Sequence, residues 1–147
     1  GMAPPLSYAY GDGKTAVCRK LERYAHRFFA IAPLVIYALT YFLAPAGVSC
    51  FADTSSPVFP IAVSGMRIYG LGFLFSGVNI FAAVRMMAYG KGHFSGLITF
   101  LRSFALLLLF LTILPQKFGL TGVWLAVPVA EVQTLLVSVW FLRPVQR

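Results

Sequence analysis

The sequence predicts an all-α integral membrane protein with four transmembrane helices, and three observations lead to this fold class. Hydrophobic residues make up 59% of the 147-residue chain, and charged residues make up only 11%. A soluble domain usually has about 25% charged residues. The apolar residues also fall into four long runs that are separated by turn signals. Because so few charges cannot cover a water-exposed surface, the composition excludes an ordinary cytosolic enzyme and a disordered segment.

Residues 1–25 predict a cytoplasmic loop followed by a short helix on the membrane surface. Pro4, Pro5 and the glycines at 11 and 13 interrupt the start of the chain. The stretch from Thr15 to Arg27 is rich in charge and is too polar to cross a bilayer. We therefore expect the four-helix transmembrane bundle to occupy residues 26–147.

The first apolar run has no charge between Phe28 and Ala52. About 20 apolar residues suffice for a helix to cross the hydrocarbon core, and proline is tolerated inside such helices. This run predicts a span over about residues 26–46.

The second apolar run, between Arg67 and Arg85, predicts a span over about residues 66–87. The run is slightly short, but both arginines can extend their charged ends toward the interface while their stems stay in the apolar layer. The preceding stretch, Pro57–Met66, is also apolar and predicts a loop or interfacial turn.

The third and fourth runs predict spans over 94–114 and 120–142. Each contains one charged residue, Arg102 in the third span and Glu131 in the fourth. A charge inside a membrane helix costs about 2.5–3.5 kcal/mol on insertion scales, so it should face the bundle interior and have a partner.

The distribution of basic residues predicts the orientation. Nine of them fall on the side that holds both chain ends, and two, Arg67 and Lys117, fall on the other side. The nine are Lys14, Arg19, Lys20, Arg23, Arg27, Arg85, Lys91, Arg143 and Arg147. The positive-inside rule then places both termini in the cytoplasm, with the chain in the cell (inner) membrane. Since the charges are scattered between apolar runs, the lipid bilayer is the expected partner and nucleic acid is not.

Arg102 and Glu131 are predicted to form an ion pair. Arg102 lies eight residues after Phe94, and Glu131 lies eleven residues before Leu142, so their depths from the same membrane face are about 12 and 16 Å. The helical spacing of Ser95 and Thr99 with Arg102, and of Thr134 and Ser138 with Glu131, predicts inward faces. The pair either pins two helices together or takes part in a cytoplasmic-side gate or proton relay.

Three further residues of the second span are candidates for a transport cavity or for packing. The amide of Asn79 needs a partner in hydrocarbon, which is either another helix or a bound substrate. Tyr69 and Phe73 are one turn apart and are weaker candidates. Their rings either line a cavity for cationic compounds or anchor the helix at the interface.

Three segments resemble the MATE (multidrug and toxic compound extrusion) transporter family. FGLTGVWLAVPVAE (118–131) resembles the glycine-led turn and opening of the family's last helix. PLSYAYGDGK (5–14) is similar to the cytoplasmic loop after the eighth helix. NIFAAVRMMAYGKGHFSGLITFLR (79–102) resembles the region of the tenth and eleventh helices. The three segments keep the family's order and spacing over nearly the whole chain.

The resemblance implies a twelve-helix, two-lobed transporter of which this chain supplies helices nine to twelve. It implies export of small organic substrates that are often cationic, driven by inward flow of H⁺ or Na⁺, with the missing N-terminal lobe as a partner. No cofactor is implied. Ser76 stands where some members have a cation-binding aspartate, which makes it a further candidate for the transport cavity or gate. No acid occurs between Asp53 and Glu131. The coupling ion is therefore expected mainly in the missing first lobe, and the fragment is not expected to transport alone.

Two alternatives remain open at this stage. The first is a flippase of polyprenyl-linked sugars, which shares the architecture but would favour a strongly basic cavity. The second is a small four-helix membrane protein that acts as an accessory or assembly subunit. The chain shows no nucleophile with a base, no phosphate loop and no metal-ligand spacing, so we do not expect an enzyme or a metal site.

Overall fold

A computed structural model describes residues 2–142, and the regular secondary structure of that part is entirely helical. Seven α-helices and one π-helical turn follow one another along these residues. They are α1 (Ala3–Gly11), α2 (Thr15–Ser49), α3 (Val58–Gly70), α4 (Phe73–Ala88), α5 (Gly92–Phe100), the π-helical turn (Leu101–Ala105), α6 (Leu106–Phe118) and α7 (Leu120–Leu142). The predicted cytoplasmic residues Arg143 and Arg147 lie outside the described residues.

Four stretches of residues 2–142 are long and apolar enough to cross a membrane, which confirms the predicted fold class. They are Thr15–Ser49, Val58–Ala88, Gly92–Phe118 and Leu120–Leu142. The fourth covers the same residues as the predicted span, and the other three extend beyond their predicted limits at both ends.

The N-terminal region differs from the predicted loop and separate surface helix. α1 begins with Pro4 and Pro5 in its first turn, where the missing N–H groups of proline would have no helical partner in any case. Gly13, with φ of +69°, forms the turn into α2. α2 then continues from Thr15 into the apolar run as one helix of 35 residues. At about 52 Å, this helix exceeds the ~30 Å hydrocarbon core, so its charged first part projects beyond the core.

Helix α3 replaces the loop that was predicted for Pro57–Met66. Pro57 stands at the N-cap of α3 with φ of −61°, a value that suits the start of a helix. α3 and α4 are separated only by Leu71 and Gly72. A Cβ atom added to Gly72 would lie 3.1 Å from Cγ1 of Val127 on α7. The break between α3 and α4 is thus a place where two spans approach closely.

The third span consists of α5, the π-helical turn and α6. A π-helical turn pairs residues five apart and is wider than an α-helical turn, and such turns occur frequently at functional sites. Gly119, with φ of +56°, is the single residue between α6 and α7. Glycine adopts this backbone conformation without steric cost, so the reversal between the third and fourth spans needs only one residue.

Helix α4 is central in the bundle, since it packs against α1, α2, α5 and α7. Its buried residues include Ala82 and Ala83 beside the larger Phe81 and Met86. Small side chains allow neighbouring membrane helices to come close together. The outer faces of α2 and α6 carry exposed large apolar side chains, such as Leu34, Leu108 and Leu109. These faces suit lipid or another apolar protein surface.

Candidate functional site

The predicted ion pair between Arg102 and Glu131 is present inside the bundle. Nη2 of Arg102 lies 2.6 Å from Oε1 of Glu131, and Nε of Arg102 donates to the same oxygen at 3.1 Å. The side chains are 20% and 7% exposed, respectively. The similar depths of the two residues in consecutive antiparallel spans bring them together, as the depth argument predicts.

Asn79 adds a third helix to this pair. Nδ2 of Asn79 donates to Oε2 of Glu131 at 2.7 Å and to the backbone carbonyl oxygen of Glu131 at 2.9 Å. The side chain is fully buried. This is the interhelical hydrogen bond that was one of the two predicted roles of Asn79. Glu131 of α7 is thereby bonded to both α4 and the π-helical turn. We call Asn79, Arg102 and Glu131 the central network.

The central network keeps some unused hydrogen-bonding capacity. Oδ1 of Asn79 and Oγ of Ser138 are buried and have no hydrogen-bond partner within residues 2–142. Thr134 donates from Oγ1 to the carbonyl oxygen of Ala130 at 2.8 Å. Glu131, Thr134 and Ser138 are all buried on one face of α7, in agreement with the predicted inward face. Buried polar atoms without partners are rare and often mark functional positions.

The predicted inward face of the third span is only partly correct. Thr99 is exposed, and its hydroxyl donates to the carbonyl oxygen of Ser95 within the same helix. Ile98 is buried in its place. Ile98 lies four residues before Arg102, and Thr99 lies three residues before Arg102. Both spacings fall on the same side of a helix, and here the packing buries Ile98.

Three other predicted site residues lie outside the central network. The hydroxyl of Ser76 is half-buried and donates to the carbonyl oxygen of Phe73 at 3.3 Å. Tyr69 is 41% exposed, and its ring packs edge to face on that of Phe73, with the centroids 6.0 Å apart. These contacts all join neighbouring turns of the second span. A cavity role for these residues stays a prediction.

A second polar cluster, which the sequence reading missed, lies at the end of the second span. Glu22 of α2 accepts through Oε1 from Nε of Arg85 and from the hydroxyl of Tyr89, each at 2.5 Å. Nη1 of Arg85 also donates to the carbonyl oxygens of Phe141 and Leu142, at 3.3 and 3.1 Å. We call Glu22, Arg85 and Tyr89 the end cluster. It joins α2 and α4 to the C-terminal end of α7, where helix carbonyl groups have no helical partners.

Burial and the charge of Glu22 determine the titration of Tyr89. Partial burial of the phenol, and its hydrogen bond to the negative carboxylate, raise the pKa of Tyr89 from 10.0 to about 12. The nearby guanidinium of Arg85 acts in the opposite direction and is outweighed. Tyr89 therefore remains a neutral hydrogen-bond donor at physiological pH. One sequence signal marks Glu22 as unusual, because it is the only acid among the basic residues between Thr15 and Arg27, but this signal does not indicate its partners.

Residues 2–142 bring together no group of three or more His, Cys, Asp and Glu side chains that could hold a metal ion. The polar chemistry of this part of the chain is concentrated instead in the two clusters just described. Each of them combines one arginine, one glutamate and one neutral hydrogen-bonding side chain.

Comparison with known proteins gives one informative match. No protein-family model matches the chain, and no curated protein matches it. A solved structure, the outward-facing conformation of a multidrug resistance MATE family transporter of the MOP superfamily, matches with a TM-score of 0.84 at 19% identity. The match covers 95% of this chain and 32% of that transporter chain. The chain thus has the fold of about a third of a MATE transporter, which confirms the MATE-type fold that the resemblance implies.

Proposed function

We propose that the chain forms the last four helices of a cation-coupled exporter of small organic compounds, many of them cationic. The observation that carries this proposal is the central network, in which a buried glutamate is held by an arginine and an asparagine inside a MATE-type bundle. An ionisable residue at membrane depth is costly, and by default it supports a hypothesis of function once its partner is identified.

In this proposal the central network acts as a gate on the cytoplasmic half of the bundle. Protonation of Glu131 would remove its charge and weaken its hold on Arg102, while Asn79 would keep its bond to the Glu131 backbone. The span that carries Arg102 could then shift at the π-helical turn while α4 and α7 remain joined. A two-state contact of this kind can link a proton or cation gradient to the exposure of a cavity.

The coupling ion, H⁺ or Na⁺, is assigned mainly to the missing first lobe. Between Asp53 and Glu131 the sequence contains no other acid, and one carboxylate oxygen of Glu131 already faces Arg102 while the other faces Asn79. Ser76 cannot supply a negative charge where some family members have an aspartate. The first lobe is thus the better source of a free carboxylate for the ion.

The substrate would lie between the two lobes, with Tyr69 and Phe73 as candidate contacts. Both residues flank the break between α3 and α4, and the partly exposed ring of Tyr69 can accept a cation on its face.

We also propose that the chain lies in the inner membrane with both termini in the cytoplasm, in line with the nine-to-two charge bias. External labelling of the exposed Cys50 with an impermeant maleimide tests this orientation.

The test of the function is ethidium efflux from drug-sensitive bacterial cells. One strain expresses this chain alone, and another expresses it continued at its N-terminus by the coding sequence upstream. We expect efflux only from the continued chain. Efflux should stop when the proton and sodium gradients are both collapsed, and Glu131→Gln in the continued chain should lower the rate at least tenfold.

Thr99→Val is the matched control, because Thr99 is an exposed polar residue of the span that carries Arg102 and lies outside the central network. It should leave the rate unchanged. Efflux from the chain alone would contradict the two-lobed proposal. Unchanged efflux in Glu131→Gln would contradict the gate.

A further inference from the structure

The first part of α2 carries a basic face that no contact described above uses. Its residues recur at helical spacing and line a shallow cleft of about 440 Å³. They are Ala16, Arg19, Lys20, Arg23, Tyr24 and Arg27. All six are exposed. None of the four basic side chains forms an ion pair within residues 2–142, since the three salt bridges of that part involve Lys14, Arg85 and Arg102.

The opposite face of the same segment is fixed against the bundle. Cys18 and Ala25 are each 6% exposed, and Cys18 packs in an apolar cluster with Leu6, Ala9 and Ala88. Glu22 lies on this face too and is bound by Arg85. At 3.6 residues per turn, these buried positions stand about half a turn away from the basic face. The docking of α1 and α4 therefore keeps the basic face of α2 turned away from the bundle.

The basic face also lies at a defined height relative to the membrane. The uncharged run of the span begins at Phe28, directly after Arg27. Because α2 is continuous, Arg23 stands about 6 Å and Arg19 about 12 Å farther from the hydrocarbon boundary along the helix axis. The headgroup layer is about 5–8 Å thick on each side of a bilayer. Arg27 and Arg23 therefore stand at the height of this layer, and Arg19 stands just beyond it.

We propose that the basic face of α2 is a binding site for the phosphate groups of anionic lipids. Guanidinium groups bind phosphate oxygens through paired hydrogen bonds, and three of the four cations here are arginines. Tyr24 adds a hydroxyl donor of the kind that is common at membrane interfaces. A lipid bound here would steady the projecting end of α2 and, through Glu22, the end cluster. The site does not depend on the transport activity proposed above.

The experiment measures lipid selectivity with the purified chain in detergent micelles. Dioleoylphosphatidylglycerol is titrated in competition with dioleoylphosphatidylcholine, and bound lipid is counted by native mass spectrometry. The test variant is the triple Arg19→Gln, Arg23→Gln and Arg27→Gln. Each basic residue near an anionic surface contributes about fivefold to binding, so the triple should weaken phosphatidylglycerol binding on the order of 100-fold and leave phosphatidylcholine binding unchanged.

The matched control removes the same charge elsewhere, with Lys14→Gln, Lys91→Gln and Lys117→Gln. It should keep the preference for phosphatidylglycerol. Equal losses in both triples would overturn the proposal, because the preference would then follow net charge alone. Unchanged phosphatidylglycerol binding in the arginine triple would also overturn it. Far-ultraviolet circular dichroism verifies that both variants keep their helical content.

Discussion

The central network and the end cluster use the same three kinds of side chain in two different settings. In the central network, Glu131 accepts hydrogen bonds from Arg102 on one carboxylate oxygen and from Asn79 on the other. In the end cluster, Arg85 and Tyr89 share one oxygen of Glu22. The first network lies at membrane depth between three spans, and the second lies where α2 leaves the apolar layer.

The arginines of the two clusters differ in the further hydrogen-bond acceptors that they have. Arg85 has two backbone carbonyl oxygens of α7 as further acceptors. Arg102 has Glu131 as its one hydrogen-bond acceptor within residues 2–142. Loss of the arginine–glutamate contact should therefore cost less stability at the end of the bundle than in its middle. This difference suits a fixed joint at one place and a switchable contact at the other.

The largest expected effect comes from breaking the central network on one side only. Arg102→Met leaves a buried carboxylate without its counter-charge, and it should cost about 3–5 kcal/mol of unfolding free energy. Replacement of both charged residues, as in Arg102→Met with Glu131→Met, should cost less unfolding free energy than either single replacement, because no charge is left unpaired. Unfolding by sodium dodecyl sulfate in mixed micelles, followed by circular dichroism, measures all three.

The charge exchange Arg102→Glu with Glu131→Arg sharpens this test. It keeps both charges at nearly the same depth and should recover part of the stability that each single exchange loses. If each single change and the double change are equally unstable, the two residues are not coupled, and the distinction between the networks fails.

An intermediate loss of unfolding free energy is expected from Glu22→Gln in the end cluster. Hydrogen bonds to charged groups contribute about 1.5–3 kcal/mol, but the glutamine oxygen can still accept, and Arg85 keeps the carbonyl oxygens of α7. We therefore expect a loss of about 1–2 kcal/mol in the same unfolding assay. Asp12→Asn, which removes an exposed pair with Lys14, should cost less than about 1 kcal/mol. A loss in Glu22→Gln as large as that in Arg102→Met would show that the two settings do not differ.

The ion pair of the central network could be predicted from the sequence, whereas the partner of Asn79 and the contacts of the end cluster could not. Arg102 and Glu131 stand alone in long apolar runs, so their cost in hydrocarbon demands a partner, and the rise per residue gives their depths. Arg85 and Glu22 lie at the ends of spans, where charges are ordinary and need no partner. Their contact depends on how α2 continues past the membrane boundary, which is a matter of tertiary packing.

The helix boundaries teach the same lesson. The charges of Thr15–Arg27 do not end the helix, because docking on α1 and α4 supports it before the apolar run begins. Pro4 and Pro5 predict an interruption at the start of the chain, but they stand in the first turn of α1, and Pro57 stands at the N-cap of α3. Proline terminates a helix when it lies in the interior and favours one in its first turn.

The smallest expected effect is a shift in titration that belongs to the end cluster alone. With the pKa of Tyr89 raised to about 12, the folded state favours the neutral phenol. The stabilising contribution of this hydrogen bond is full below pH 10 and declines as the pH rises from 10 to 12. In an absorbance titration of tyrosinate, Tyr89→Phe should remove the component near pH 12, and Glu22→Gln should move it to lower pH. Tyr8→Phe, a change at a mostly exposed ring, should leave that component in place. If the component persisted in Tyr89→Phe, the phenol would not be held by Glu22, and the end cluster would reduce to the bonds of Arg85 with Glu22 and α7.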